Sequence, residues 1–426
     1  MLDIKFIREN PEAVRRGAAA KNIEIDVDAL LKLDAERRAL IGEGEALKAS
    51  QNRASEELAK EKDADVKKQK IEDLRTVKEK IKGLAEKLAV VEADFDRLMR
   101  LIPNLLRPDV KIGRDDSENY VIRSIGEPPQ FAFAAQDYMA IGERLGIIDT
   151  ERAAKASGAR FGYLLGDAAL LEFAVIQYTM ATLLGEGFVP VVPPVLLGRK
   201  AMAGMGYLDR GGDEVYHLPD DDLYLIGTSE QSLGAMHMDE VLREEDLPRR
   251  YVGFSTCFRR EAGSYGKDVR GILRVHQFDK LEMFSYVVPE ASDEEHDFLL
   301  AMEERLLGGL QLPYHVLGIV SGDLGDPAAR KYDLETWIPS QNTYRETHST
   351  STCTDWQARR MNIRVRRRDG TMEFAHTLNG TAFAVGRILI AILENYQQAD
   401  GTVRVPDVLV PYMHGRTVIG AKREVC

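Results

Sequence analysis

The chain has 426 residues, 44% of them hydrophobic and 30% charged, the make-up of a globular protein of two or three domains rather than a fibrous or disordered one. Lys plus Arg number 57 against 69 Asp plus Glu; the net charge of −12 argues against a generally basic nucleic-acid coat, though not against a local phosphate-binding face. Three cysteines, Cys257, Cys353 and Cys426, are too few and too scattered for a disulfide framework or a CxxC metal site. No apolar run reaches the ~18 residues of a membrane span, and the N-terminal MLDIKFIRENPEAVRR is charged from its third residue. The expected setting is the cytoplasm, with no membrane partner.

Residues 1–100 carry equal numbers of basic and acidic side chains, so the whole negative excess lies in 101–426. No proline falls between Pro11 and Pro103. Within that stretch Leu74, Ile81, Leu88, Phe95 and Ile102 form one seven-residue series and Val77, Leu84, Val91 and Leu98 the other, the spacing of a coiled coil. Leu33, Leu40, Leu47 and Ala54 repeat it more weakly, with Leu30 and Leu58 nearby, and KEKDAD at 60–65 fits a turn. The spacing predicts two antiparallel helices over about 28–102, each about 50 Å long. Such hairpins commonly serve as spacers or dimerisation elements. Here Lys67, Lys68, Lys70, Arg75, Lys78, Lys80 and Lys82 face only three acidic residues in the same stretch, which suits phosphates equally well.

Pro108, Gly113, Gly126, Pro128 and Pro129 mark 104–130 as a linker. Beyond it, β-branched or aromatic runs at 223–226, 250–254, 282–288, 314–319 and 362–366 alternate with helical stretches at 166–186 and 382–397, which predicts an antiparallel α+β domain over 131–426. No GxxxxGK[ST] loop, GxGxxG turn, HExxH or GxSxG occurs, so phosphate chemistry has to rest on arginine side chains and a metal. The segment 257–284 supplies such a set. Arg259 and Glu261 precede a glycine-punctuated loop, and in a returning strand Arg274, His276, Phe278, Lys280 and Glu282 share one face. Arginine suits phosphate, a phenyl face suits a purine, and a carboxylate suits an amine or hydroxyl. An exposed, salt-bridged sheet face has the same spacing.

These residues carry a resemblance that spans nearly the whole chain. FRRE (258–261) with RVHQFDKLE (274–282) resembles motif 2 of the seryl-tRNA synthetase family of class II aminoacyl-tRNA synthetases; GFVPVVPP (187–194) resembles motif 1 and AVGR (384–387) motif 3. The N-terminus, the hairpin, TSE (228–230), LNGT (378–381) and the tail AILENYQQADGTVRVPDVLVPYM (391–413) are similar to the family as well. The implied fold is α+β: an N-terminal helical domain (1–103) with a coiled-coil tRNA-binding arm, the linker, and a class II antiparallel sheet flanked by helices (131–426).

The resemblance implies a ligase that makes seryl-adenylate from L-serine and ATP with Mg²⁺. The seryl group then passes to tRNA(Ser), with tRNA(Sec) left open as a second acceptor and a homodimer implied by motif 1. Arg259 is expected on the α-phosphate and the serine carboxylate, Arg387 on the γ-phosphate, Arg260 and Glu261 at ATP with Glu261 beside adenine, and Phe278 stacked on the ring. Glu346, Thr347, His348 and Ser349 are expected along ATP, with Glu346 and Ser349 holding Mg²⁺. Thr228, Ser229 and Glu230 are expected around the serine amino group, and Glu282 and Thr381 at its hydroxyl, where a polar pocket rejects analogues without that hydroxyl. Outside the resemblance, Cys257 and Cys353 read as small buried residues and His276 as a structural histidine.

The chain departs from the family's usual pattern at His348 and Thr352 in ETHSTSTC, at Tyr138, and in the terminal AKREVC. The departures keep open a paralogue serving a secondary pathway or inhibitor resistance. A ligase loading a non-tRNA acceptor is a further rival, against which the arm argues.

Overall fold

Asp26 and Asp63 each start a long helix by accepting hydrogen bonds from backbone N–H groups of the first turn, Ala29 at 2.8 Å in one case and Asp65 at 3.0 Å in the other. The helices run Val27–Lys60 and Ala64–Arg100 and pack antiparallel, joined by a turn of three residues. In the computed structural model, which describes residues 1–210, 212–262 and 270–420, they belong to a unit formed by Leu2–Ala19 and Ile23–Pro103. A two-helix hairpin has one seam and no second layer. The heptad residues are accordingly half-buried along most of its length, and Val91 and Phe95 are fully enclosed near its base. Arg37 reaches across the seam to Glu92 (3.2 Å) and lies over the Phe95 ring. Of the basic run, Lys70, Arg75 and Lys82 have carboxylate partners, while Lys67, Lys68, Lys78 and Lys80 have none within ion-pair distance among the described residues.

The other unit, 104–426 with Met1 and Ala20–Asn22, is built on an eight-stranded sheet. From one edge to the other its strands are Tyr120–Ile125, Tyr314–Gly318, Arg330–Ile338, Thr343–Thr354, His376–Ala384, Gln277–Val287, Arg249–Phe258 and Val189–Val191. Only the last pairs in parallel. The α+β class expected from the sequence is therefore what forms. Inside 104–130, where turn residues signal a linker, Tyr120–Ile125 adds an edge strand. The helix expected over 382–397 begins at Val385, because the preceding strand continues through Ala384.

Leu281, Met283 and Val287 of the strand Gln277–Val287 point into the main core, together with Leu299, Leu306 and Leu307 of the helix Ser292–Gly309 and Ile388–Leu393 of the helix Val385–Asn395. Phe278, Lys280 and Glu282 alternate onto the opposite face. The helix Asp167–Leu184 has the length and hydropathy of a membrane span, yet it carries Asp167 and Glu172 and buries Leu171, Ala174, Val175 and Leu183 in that same core.

Candidate functional site

Strict alternation would put Glu346 and Ser349, three residues apart, on opposite faces of their strand. The register with Arg330–Ile338 shifts between them: Leu334 faces His348 and Glu335 faces Glu346, so Thr347 is an extra, bulged residue. The bulge turns Glu346 and Ser349 onto the same face. A second shift sits one strand along, where Glu282 pairs with Thr381 and Leu281 with Phe383; Ala382 is extra, and Thr381 and Ala384 share the upper face. Gly380 is closely packed below, since a Cβ there would lie 3.1 Å from Met283 Cε and 3.2 Å from Glu303 Oε1.

Above these strands opens a cavity of about 290 Å³ lined by Arg259, Glu261, Phe278, Thr228, Glu230, Glu282, Thr381, Glu346, Thr347, Ser349 and Arg387. Of the fourteen residues given a role by the resemblance, eleven thus come together, with Arg274 and Lys280 of the return beside them. Three do not. Ser229 is buried beneath, its hydroxyl 2.7 Å from that of Ser255. Arg260 is exposed, and among the described residues it is its backbone N–H that is held, by the Glu214 carbonyl. His348 follows the bulge onto the underside, with Nδ1 2.9 Å from the Thr347 hydroxyl and its ring edge-on to Phe383. Burial there lowers its pKa to about 3, so it is a neutral imidazole in the core, outside the cavity lining. Thr352 also faces down, 3.0 Å from the Ser292 hydroxyl. Tyr138, the third departure, is buried and its hydroxyl accepts the Ile272 N–H. AKREVC at 421–426 and the loop residues 263–269 lie outside the described residues.

One group of polar residues is closed, with Thr228, Glu230, Lys280 and Glu282 all buried. Lys280 pairs with Glu282 and donates to Thr228 Oγ1 at 3.1 Å, and that hydroxyl lies 3.3 Å from Glu282 Oε2. Burial raises the pKa of Glu282 while the Lys280 ammonium opposes the shift. Glu230 accepts from the Tyr207 hydroxyl at 2.8 Å and from Gln357 Nε2 at 3.1 Å. The other group is open. Arg387 donates to the Glu346 carbonyl at 2.8 Å and lies 3.5 Å from its carboxylate; Arg259 donates to the Gly227 carbonyl and stands 5.3 Å over the Phe278 ring. The Glu346 side chain is 48% exposed. Enclosure by the cavity walls works to raise its pKa, but Arg387, then Lys331 and Arg259, overcome this and hold it at about 2. Glu261, three residues past the end of the strand Arg249–Phe258, takes φ +51°, a left-handed backbone that costs a non-glycine residue energy, and its carboxylate lies 3.5 Å from Arg274.

An ionised carboxylate and a hydroxyl on one open face are the oxygen donors a hard cation takes. Two arginines beside an aromatic ring suit a nucleoside triphosphate. A buried carboxylate with both oxygens already bonded leaves its remaining lone pairs for an ammonium. The sequence left Tyr207, Lys331 and Asn379 unassigned, though all three line the cavity. Of these only Asn379 lies inside a motif, two residues before Thr381.

The model of the tRNA synthetase class II core domain (G, H, P, S and T) matches residues 216–396, and that of the seryl-tRNA synthetase N-terminal domain matches residues 1–106. A serine–tRNA ligase of Nocardia farcinica is 46% identical over 417 residues, 97% of this chain and 98% of that protein. One from Rubrobacter xylanophilus is 45% identical over 424 residues, 99% of this chain and all of that protein. The crystal structure of seryl-tRNA synthetase from Pyrococcus horikoshii complexed with ATP superposes with a TM-score of 0.90 at 40% identity, covering 98% of this chain and 99% of that one.

Proposed function

This chain belongs to the seryl-tRNA synthetases, and from that premise we propose which of its residues bind, orient and activate. The enzyme joins serine to tRNA at the expense of ATP. A serine carboxylate oxygen attacks the α-phosphorus and pyrophosphate leaves; the terminal ribose hydroxyl of tRNA then attacks the acyl carbon and AMP leaves. The carboxylate is ionised at neutral pH, so the first step needs no general base. It needs positive charge where negative charge accumulates.

Arg259 supplies that charge between the serine carboxylate and the α-phosphate, and Arg387 holds the γ-phosphate, exchanging its present carboxylate contact for the phosphate. Phe278 stacks on adenine, with Glu261 at the ring edge. Glu346 and Ser349 hold Mg²⁺, which neutralises phosphate charge when bound. Thr228 and Glu230 take the serine ammonium, and Glu282 and Thr381 take its hydroxyl. The single observation that supports this reading is the pair of bulges, at Thr347 and Ala382, which puts the oxygen donors and the hydroxyl-binding pair on one face. Serine-dependent exchange of pyrophosphate into ATP tests it: Arg259→Ala is expected to lose at least about 100-fold, as oxyanion-stabilising donors do. Unchanged exchange removes Arg259 from the role.

We infer further that the N-terminal hairpin docks tRNA(Ser) through its basic stretch, and that two copies of the chain associate through the motif 1 segment, where Val189 and Val192 are exposed, and the helix before it, where Phe173 is exposed. The enzyme's proposed location is the cytoplasm.

A further inference from the structure

Glu230 is the proposed seat of the serine ammonium, and its carboxylate is held from two sides by groups that have no choice of role. On one side, the Tyr207 hydroxyl donates to Oε2 at 2.8 Å; burial, and then Glu230 itself, raise the phenol's pKa well above its ordinary value, so it stays a donor. On the other, Gln357 Nε2 donates to Oε1 at 3.1 Å. A glutamine amide is two-faced, and turned over it would set its oxygen against the carboxylate. The carboxylate, which can only accept, selects Nε2, and the Thr377 hydroxyl, 2.7 Å from Gln357 Oε1, donates to the amide oxygen this leaves on the far side and so reinforces that orientation. Gln357 and Thr377 are both fully buried and neither lines the cavity. Four separate elements meet here: the segment after the helix Arg199–Met205, the helix Ser229–Ala235, the helix Trp356–Met361 and the strand His376–Ala384.

We propose that Gln357, oriented by Thr377, is a positioning residue that with the Tyr207 hydroxyl fixes Glu230 as the acceptor of the substrate ammonium, and thereby sets affinity for serine while leaving ATP binding untouched. The proposal rests on the assignment of Glu230 to the ammonium. With both inner lone pairs occupied, the carboxylate keeps one rotamer and presents its outer lone pairs to the cavity. A substrate lacking the ammonium leaves them unpaired.

Pyrophosphate exchange on the full chain tests the proposal by the split between Michaelis constants. Gln357→Met keeps the length and burial of the side chain and removes both hydrogen bonds. It is expected to raise KM for serine about tenfold, the worth of one hydrogen bond to a charged group, with KM for ATP and kcat changed less than about twofold. Tyr207→Phe should do the same. Thr377→Val, which leaves the buried Gln357 Oε1 without its donor and loosens the amide, should raise KM for serine about threefold, and Thr377→Ser should restore it, since a hydroxyl is all the relay needs at that position. If Gln357→Met does not fold, the Tyr207 and Thr377 variants carry the test. Equal increases in both Michaelis constants, or a fall confined to kcat, would mark a merely structural role and overturn the proposal. Glu230→Gln separates the two layers. If it raises KM for serine while the Gln357, Tyr207 and Thr377 variants do not, the relay is wrong and the ammonium site stands. If Glu230→Gln itself leaves that KM unchanged, the ammonium assignment is wrong, and the relay falls with it.

Discussion

In the N-terminal hairpin the ion pairs Arg75–Glu79 and Lys82–Glu86 join side chains at least 70% exposed, at 3.7 and 3.9 Å. In the sheet-based unit Lys280 meets Glu282 with both side chains almost wholly enclosed. The same chemistry does different work in the two places. A surface pair contributes about 0–1 kcal/mol and is screened by salt, so its lysines and arginines remain available to a phosphate backbone that binds them more strongly. An enclosed pair adds little net stability when intact, but breaking it leaves an uncompensated charge out of water. The hairpin therefore holds charge in reserve for a partner, and the cavity holds it committed to a geometry.

Removing the hairpin is the largest break this comparison allows. Replacing residues 28–100 with a short loop is expected to lower aminoacylation of tRNA by about 1,000-fold or more, the scale set by several phosphates left without a cation at moderate salt, while pyrophosphate exchange stays within about twofold. Equal loss of both activities would mean that the cavity depends on the hairpin. Breaking the enclosed pair comes next. Glu282→Ala should destabilise the protein by about 3–5 kcal/mol in denaturant unfolding, because Lys280 keeps its charge without a partner. The double variant Lys280→Met/Glu282→Leu should recover much of that stability and none of the serine activation. A Glu282→Ala variant as stable as the parent would show that water reaches Lys280.

The two regions were also unequally legible from the sequence. The hairpin's apolar residues repeat at a helical period with little else competing, and even its turn, expected within 60–65, forms there at 61–63. The sheet hides its strands. Thr350 and Thr352 in Thr343–Thr354 point inward, bonded to the Asn379 carbonyl and to Ser292, so polarity there does not alternate with exposure. The return strand begins at Gln277, so Arg274 and His276 precede it, and His276 instead bonds the Arg259 carbonyl. Motifs named most of the cavity's residues but not the faces on which they lie. Ser229, Arg260 and His348 sit within recognised motifs and miss the cavity, because one bulge or one helix turn decides the direction of a side chain and leaves no compositional trace. Tyr207 and Lys331 come from segments without a motif and reach the cavity only through the tertiary fold.

A smaller effect sharpens the charge-in-reserve half of the comparison. The combined substitution of Lys67, Lys68, Lys78 and Lys80 by Ala should raise KM for tRNA and flatten its dependence on salt, by about 0.7–0.9 in the log–log slope for each phosphate no longer neutralised. Thermal stability should be unaffected, since none of the four has an ion-pair partner among the described residues. An unchanged salt slope would place the tRNA-binding cations elsewhere.

The smallest effect comes from Glu335, which pairs with Glu346 on the neighbouring strand. Burial, then the charges of Asp333 and Glu346, push its carboxyl up to about 7. In the unfolded chain a glutamate titrates near ~4.3. Between those values the folded state holds a proton that the unfolded state has released, so the contribution to stability is fully present below the lower value and is lost as pH rises through the upper one. Glu335→Gln carries no such proton. Its melting temperature should therefore gain on that of the parent by on the order of 2–4 °C as pH is raised from about 5 to about 8. A difference that stays constant over this range would mean that solvent relieves the charge of Glu335, and that the enclosed part of the site ends before the edge of Glu346. A widening difference places Glu335 inside the same committed field as Glu282.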